Sequence, residues 1–400
     1  MKKLLFLSII ICGLPACNED SKDSSFLISK VRDLLGETKT LDLDKEIQDV
    51  KYISLKVTPD DASLIDGVGY YAITQNHIYI HPLKENRIVM FDKTGDFVKT
   101  LITYGSGPGE LSGSITGMQA DESKNILYIF TPDAIWAYTL AGEFISKTTH
   151  EYQTIYQASL ENDIFASVSM LYMPFQAGSF GLGIFSLNGD TIALANNFYS
   201  PVIPPENSGF TTAIAAAYSD FPESVLFKSG SNDTIYRIGK NAIEPACVLE
   251  LKNSDKEIAR ALDVTDFSSI AKKTGDGSDI FVEDMFETHR CIYFRFSCNN
   301  VFYVGSINKS TKQTLIEKCI QPENLRRMSD ANFQRGMTGT ISYNNFPVWG
   351  KMVGNRLVQV ITFSELQHYS DMSAVGIPEE LKELNEDSNP LFVYYTLTRP

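Results

Sequence analysis

The chain has 400 residues, 43% hydrophobic side chains and a formal net charge of −14. Such an acidic chain repels phosphate backbones and anionic headgroups, so the charge argues against nucleic acid as a partner. The 24 Phe and 19 Tyr residues favour strands over helices, and the apolar fraction is sufficient for a large core. We therefore expect a folded, mainly β protein that does not bind nucleic acid.

The first 16 residues are predicted to be a signal peptide. Lys2 and Lys3 precede an apolar run, 4–14, that is too short to span a bilayer as a helix. The run ends in Leu-Pro-Ala-Cys17, which resembles the bacterial lipobox. This resemblance implies a lipid on Cys17, whereas the alternative is an ordinary secretory signal with a chance cysteine. Residues 17–40 are then predicted to be a lipidated tether and residues 41–400 the folded domain.

The residues after Cys17 bear on the compartment. Glu19 and Asp20 form an acidic pair that resembles the surface-export signal of Bacteroidetes lipoproteins. The two resemblances imply an outer-membrane lipoprotein of the cell envelope, held to the membrane by its N-terminal lipid. They leave open whether the protein faces the periplasm or the outside.

Three stretches of the chain repeat one pattern of an aromatic strand, a Gly-acid turn and a second strand. They are Phe91-Asp-Lys-Thr-Gly-Asp-Phe-Val, Tyr138-Thr-Leu-Ala-Gly-Glu-Phe-Ile and Phe185-Ser-Leu-Asn-Gly-Asp-Thr-Ile. Their glycines, Gly95, Gly142 and Gly189, are separated by 47 residues each time. A period of that length with several short strands per unit is typical of a β-propeller.

In chain order, the strand patterns divide into six units of short strands. The units begin near residues 70, 115, 155, 214, 281 and 348, and helical insertions are predicted at 254–273 and near 378–384. The sixth unit is one strand short, and the unassigned strand is Val50–Val57. The sequence therefore predicts an all-β, six-bladed propeller of four-stranded blades, closed by the N-terminal strand in the last blade. We expect the segments at 254–273, 322–335 and 363–388 to shape its binding face.

A glycine-rich stretch carries a more specific resemblance. Tyr104-Gly-Ser-Gly-Pro-Gly-Glu110, with the strands and hairpin that follow it, resembles the NHL-type repeat. Together with Asn232–Ile238 and Asn389–Tyr395, it also resembles the six-bladed propeller lipoproteins of Bacteroidetes. The resemblance implies the propeller fold over nearly all of the mature chain. It implies no particular activity, because that family is largely uncharacterised.

Motifs for cofactors or metals are not met by this sequence, and no cofactor is predicted. Glu110 stands where a dinucleotide fingerprint needs glycine, so the three glycines before it are interpreted as turn residues. His77 and His81 lie in a predicted strand, where four residues span about 13 Å, too far for one zinc ion. Trp136 is predicted to pack between blades.

Candidate ligand-binding residues lie on the predicted innermost strands and are Tyr70, Glu283, Asp284 and Trp349. The leading hypothesis is a non-catalytic binding or assembly module for a glycan, a peptide or an envelope protein. The alternative is a hydrolase or lyase with a Ca²⁺ site in the channel, as in lactonase-like propellers. That alternative requires three or more carboxylate or amide groups converging on the axis.

Four cysteines remain in the predicted mature domain: Cys247, Cys291, Cys298 and Cys319. Cys291 and Cys298 share one predicted strand, and their odd spacing places them on opposite faces. A cross-strand bond between Cys291 and Cys319 is possible in an oxidising compartment. Buried free thiols are the default expectation.

Overall fold

The computed structural model describes residues 27–39, 41, 43–150, 153–169, 180–196, 216–221, 223–229, 233–251, 280–299, 301–318, 350–363 and 385–398. These residues form six antiparallel four-stranded sheets, one of which gains a short fifth strand. Two short 3-10 helices, η1 (Arg32–Leu34) and η2 (Leu43–Glu46), lie near the N-terminus. The fold is the predicted six-bladed β-propeller.

Each blade is a meander whose first strand is innermost. The N-terminal strands are β1 (Ile28–Ser29) and β2 (Ile47–Ser54). The first blade contains β3 (Val68–Ile73), β4 (His77–Pro82), β5 (Arg87–Asp92) and β6 (Phe97–Thr103). The second blade contains β7 (Gly117–Asp121), β8 (Ile126–Thr131), β9 (Ala134–Thr139) and β10 (Phe144–Thr149). The third blade contains β11 (Thr154–Ser159), β12 (Ile164–Ser169), β13 (Phe180–Ser186) and β14 (Thr191–Asn196).

The remaining three blades follow the same order, with one exception in the last. The fourth contains β15 (Ala216–Phe221), β16 (Ser224–Ser229), β17 (Thr234–Ile238) and β18 (Ile243–Leu249). The fifth contains β19 (Phe281–Glu287), β20 (Cys291–Cys298), β21 (Val301–Asn308) and β22 (Thr314–Lys318). The sixth contains β23 (Lys351–Val353), β24 (Arg356–Ile361) and β25 (Leu391–Leu397), and its outer strand is β2.

The ring closes in the sixth blade, as the sequence predicted. Strand β2 pairs antiparallel with β25, with Tyr52 opposite Val393 and Lys51 opposite Tyr394. The sixth sheet therefore combines a strand from the N-terminal part of the chain with the last strand, and this pairing closes the ring.

The hydrophobic core is divided into layers between neighbouring blades. One cluster joins Tyr79 of the first blade to Trp136 of the second, and Trp136 is only 4% exposed, as predicted. Another joins Phe392 of the sixth blade to Phe91 of the first. Equivalent clusters fill the other four boundaries. Burial between blades, rather than within one blade, is therefore the main source of hydrophobic stabilisation.

The repeated glycines make the hairpins between the third and fourth strands of blades one to three. Gly95, Gly142 and Gly189 have φ of 87°, 94° and 89°, a left-handed conformation that glycine adopts without steric cost. Gly95 also has no room for a side chain, since a Cβ there would lie 2.1 Å from the carbonyl oxygen of Ser54. The repeat therefore encodes both a turn and, at Gly95, a close contact with the closing strand.

The N-terminal segment is part of the folded body from residue 27 onward. Strand β1 pairs parallel with β18, and Leu27 and Val31 are buried in the core between the fourth and fifth blades. The prediction that residues 17–40 form a tether therefore needs correction, because Leu27 and Val31 are packed in this core. Residues 1–26 lie outside the described residues.

The strand order defines two faces of the propeller. The turn face carries the connections between the first and second and between the third and fourth strands of each blade, and the loop face carries the others. The predicted insertions at 254–273, 322–335 and 363–388 fall mostly outside the described residues. The strands that flank each of them end and begin at the loop face.

Candidate functional site

A cavity of about 270 Å³ lies on the propeller axis near the turn face. Five of the six blades contribute to its wall, mostly through the ends of their innermost strands. The lining residues are Tyr71, Ala72, Ile73, Gln119, Ala120, Ala158, Ser159, Leu160, Glu161, Glu223, Ser224, Val225, Lys351, Met352, Val353 and Gly354. We call this space the axial cavity. Small and apolar side chains form most of it because the inner strands converge there.

A lysine supplies the positive charge in the axial cavity. Lys351 begins the inner strand of the sixth blade, and its Nζ donates a hydrogen bond to the carbonyl oxygen of Met118 at 3.0 Å. The same Nζ lies 5.9 Å from the ring centroid of Tyr71. The Tyr71 hydroxyl in turn donates to the carbonyl oxygen of Val358 at 3.1 Å. These contacts link the inner strands of the sixth, first and second blades around one cation.

An amide links the second and third blades at the same depth. Gln119 Nε2 donates to the carbonyl oxygen of Ser159 at 3.0 Å, and its Oε1 accepts from the backbone N–H of Ser159 at 2.7 Å. The Gln119 amide thus makes the same pair of hydrogen bonds to Ser159 that the backbone of a neighbouring β-strand would make. This pairing fixes the spacing of the two inner strands at the cavity wall.

The rim of the axial cavity carries two carboxylates that share one lysine. Glu161 and Glu223 have side chains that are 54% and 63% exposed, and Lys240 lies between them. Lys240 donates to Glu161, and this hydrogen bond raises the pKa of Lys240. Its Nζ is 4.0 Å from Glu223. The rim is therefore acidic but partly neutralised.

A charge network around one buried carboxylate lies beside the cavity at the boundary of the fourth and fifth blades. The Glu287 carboxylate is 1% exposed and accepts two hydrogen bonds from Arg237, at 2.6 and 2.9 Å. Lys309 donates to the same carboxylate, and Arg237 also donates to Ser224 Oγ at 2.8 Å. Because Ser224 lines the axial cavity, this network supports its wall.

The predicted ligand-binding residues are placed differently. Tyr70 packs at the boundary of the first and second blades, where burial raises its pKa. Glu283 forms an ion pair with Arg295 at 2.9 Å, and Asp284 is 5% exposed. None of these three lines the axial cavity, so their role in ligand binding stays a prediction. Trp349 and Cys17 lie outside the described residues.

Other candidate motifs have structural roles. Glu110 Oε2 accepts a hydrogen bond from the Gly107 N–H at 2.7 Å, so the carboxylate occupies the loop that a phosphate would otherwise need. His81 lies beside Tyr104, with 3.2 Å between Nε2 and the hydroxyl, and burial lowers the pKa of His81. Within the described residues, no three or more His, Cys, Asp or Glu side chains are placed to hold a metal ion.

The described cysteines are buried, and no disulfide joins any two of them. Burial raises the pKa of Cys247 to about 12 and that of Cys291 to about 11. Cys291 and Cys298 belong to different core clusters, which confirms that they lie on opposite faces of β20. Cys319 lies outside the described residues, as does any bond that it makes. These high pKa values make the Cys247 and Cys291 thiols poor nucleophiles.

The residues that line the axial cavity were not identified as a site from the sequence. Gln119 and Lys351 both lie on strands that were correctly predicted to be innermost. The residues next to them in the sequence are small or apolar, as expected for close packing between blades. The available signal was a long polar side chain on an innermost strand, at Gln119 and again at Lys351. Glu161 and Glu223 lie in turns, where acidic residues are common, so nothing in their pattern distinguished them.

The fold and the axial cavity define a six-bladed β-propeller whose central cavity is mainly apolar and carries a few polar side chains. The chain belongs to the family described as a domain of unknown function, DUF4934, which matches residues 27–396. It is similar in structure to a Bacteroides fragilis protein named as a candidate exported protein, with 17% identity, a TM-score of 0.64 and coverage of 93% of this chain and 99% of that one.

A member of the DUF4221 family from Bacteroides vulgatus is 9% identical, with a TM-score of 0.49 and coverage of 88% and 98% of the two chains. No curated protein matches the chain. In the described part of the chain, no helix is both long and apolar enough to cross a membrane.

Proposed function

We propose that this protein is a lipid-anchored component of the cell envelope that uses the axial cavity and its acidic rim as a non-catalytic binding or assembly site. The observation that carries the proposal is the composition of the cavity, which combines the Lys351 cation, the Gln119 amide and the Tyr71 ring with small apolar walls. Cavities of this kind bind small ligands or single inserted side chains. A peptide or a glycan is the proposed ligand class.

Binding is favoured over catalysis because the polar groups of the cavity hold one another in place. Gln119 pairs with Ser159, and the two rim carboxylates share Lys240. A Ca²⁺-dependent hydrolase or lyase would instead bring several carboxylate or amide oxygens to one point. The two rim carboxylates are instead paired with Lys240, which suits a surface that binds a ligand without reacting with it.

Anchoring by a lipid is supported by the Leu-Pro-Ala-Cys17 sequence, and export by the name of the Bacteroides fragilis protein with the same fold. We also propose that the chain is related to the NHL-like propeller lipoproteins, because of the glycine-rich stretch before β7. We expect Cys17→Ser to abolish incorporation of labelled fatty acid and to release the protein from the membrane fraction. Cys12→Ser is the matched control, and incorporation by both variants would refute the anchor.

The ligand proposal is tested with peptide and glycan arrays. We expect the wild-type chain to retain a defined set of array members and Lys351→Met to lose them, because the substitution removes the cation from the axial cavity. Lys99→Met, on the outer strand of the first blade, is the control and should bind as wild type. Equal binding by both variants would show that the axial cavity is not the site.

A further inference from the structure

The outer strand of the third blade, β14, has an exposed and uncharged edge. It reads Thr191-Ile-Ala-Leu-Ala-Asn196, and Ile192 and Leu194 are 40% and 49% exposed. No strand within the described part of the chain pairs with its outer side. Such an edge is a template for another strand, and soluble proteins usually protect it with charge or with a covering segment.

The other five outer strands each carry such protection. Strand β18 is covered by β1. Charged side chains stand on the remaining four: Lys99 on β6, Lys147 on β10, Glu317 and Lys318 on β22, and Asp49 and Lys51 on β2. Among the outer strands, as far as the described residues show, the edge of β14 is therefore the exception.

The 47-residue repeat allows a position-by-position comparison. Counted from the hairpin glycines, Ala193 corresponds to Lys99 of the first blade, and Leu194 corresponds to Lys147 of the second. At each of these two positions, one of the other two blades has a lysine, whereas the third blade has alanine or leucine. Exposed leucine at an edge position lowers solubility unless another surface covers it.

We propose that β14 pairs with β14 of a second copy of this chain, antiparallel and across a two-fold axis. Such pairing sets the strand opposite itself, so a lysine near the axis would face a lysine of the other copy. Self-pairing of β6 or β10 would place two lysines opposite each other, whereas self-pairing of β14 brings no like charges together. The Leu194 side chains of the two copies then bury each other.

The association is expected to be weak, because a single strand on each side forms a small interface. The formal charge of −14 on each copy opposes it at low ionic strength. Added salt should therefore strengthen the dimer until the repulsion is screened over about 10 Å. This proposal is independent of the lipid anchor and of the axial cavity, which faces away from the outer rim.

Analytical ultracentrifugation of the full chain in detergent tests the proposal, over about a hundredfold range of protein concentration. We expect the mass to rise from one copy toward two, and Leu194→Lys to raise the dissociation constant about tenfold or more. Val98→Lys replaces an equally exposed apolar residue, 45% exposed on β6, and should leave the constant unchanged. A single-copy mass throughout, or equal effects of the two variants, would overturn the proposal.

A second measurement does not depend on the lysine variant. Oxidation of Leu194→Cys should give a disulfide-linked dimer, whereas Val98→Cys should remain monomeric under the same conditions. The described native cysteines are buried, and Val98→Cys measures the background from the other native cysteines. Absence of the cross-link at Leu194→Cys would count against strand pairing at this edge.

Discussion

The first three blades and the last three complete their outer rims by different means. In blades one to three, hairpins 47 residues apart lead directly into β6, β10 and β14, and within the described residues no other strand covers these edges. In blades four to six, the N-terminal segment completes the rims. Its strand β1 pairs with β18, and its strand β2 is the outer strand of the sixth blade. Between them, the backbone N–H of Lys39 donates a hydrogen bond to the carbonyl oxygen of Ile316 on β22. One half is built from neighbouring sequence, and the other is bound together by a distant segment.

The links between blades differ in the same way. In the first half, Lys124 and Asp163 form an ion pair whose side chains are 33% and 45% exposed. In the second half, the buried Glu287 carboxylate pairs with the part-exposed Arg237 and Lys309, and Tyr293 donates to the buried Glu46 at 2.6 Å. The regular half therefore depends on repeated apolar packing, and the irregular half adds buried polar contacts between remote residues.

The largest expected effect concerns the buried charges. We predict that Glu287→Ala lowers the free energy of unfolding by about 4 kcal/mol, because the charge-assisted hydrogen bonds that this buried carboxylate accepts from Arg237 and Lys309 are lost. Lys124→Ala, which removes an exposed pair, should cost under about 1 kcal/mol. Urea denaturation of both variants measures the two costs. If the two substitutions lowered the free energy of unfolding by similar amounts, the polar links of the two halves would not differ in strength.

Two glycines with nearly the same φ provide a second test. Gly189→Ala should cost about 1 kcal/mol, since φ is strained but a Cβ there meets nothing within 4 Å. Gly95→Ala should cost about 2 kcal/mol more, because its Cβ would collide with the Ser54 carbonyl at the closure of the ring. Thermal unfolding of the pair isolates that contact. A smaller effect at Gly95 would contradict close packing of the hairpin on β2.

The N-terminal segment is tested by truncating one buried side chain. Val31→Ala should cost about 2 kcal/mol, because Val31 is fully buried between the fourth and fifth blades. Ile28→Ala, at a position 53% exposed, is the control and should cost under about 0.5 kcal/mol.

Hydrogen exchange locates the effect of the same variant. The N–H groups of Val248 and Glu250 donate to Leu27 and Ser29 oxygens, so these amides should exchange faster in Val31→Ala. Unchanged protection would show that β1 is held independently of Val31.

The smallest effect is a pH dependence in the first blade. Burial lowers the pKa of His81, so the folded protein binds this proton less readily than the unfolded chain, whose histidine pKa is about 6.5. The free energy of unfolding is therefore independent of His81 above about pH 6.5. Below that pH it decreases as the pH falls toward the pKa of His81 in the folded protein, because the unfolded chain binds the proton more readily.

His81→Gln should flatten the curve of stability against pH below about pH 6.5. Exposed His289→Gln serves as the control. Denaturation curves across this range give the comparison, and an unchanged slope in His81→Gln would reject the assignment.

The sequence predicted the fold closely where local pattern controls structure. The hairpins at Gly95, Gly142 and Gly189, the core position of Trp136 and the pairing of β2 with the last blade all follow from short-range signals and strand counting. The packing of residues 27–39 was missed, because two residues of parallel pairing and two buried side chains leave little periodicity to detect.

The candidate site was harder to predict than the fold. Lys351 is separated from Met118 by most of the chain, and their contact depends on how six inner strands converge on one axis. Arg237 and Glu287 likewise belong to different blades. No spacing rule within one strand encodes such pairs.

By itself, the sequence determined the number of blades, the strand order and the seam that closes the ring, because glycine turns and alternating apolar residues act over a few neighbours. The tertiary structure alone decided which polar side chains meet at the axis and which rim edges are covered. Those outcomes depend on the distances between blades, which arise only when all of the sheets pack together.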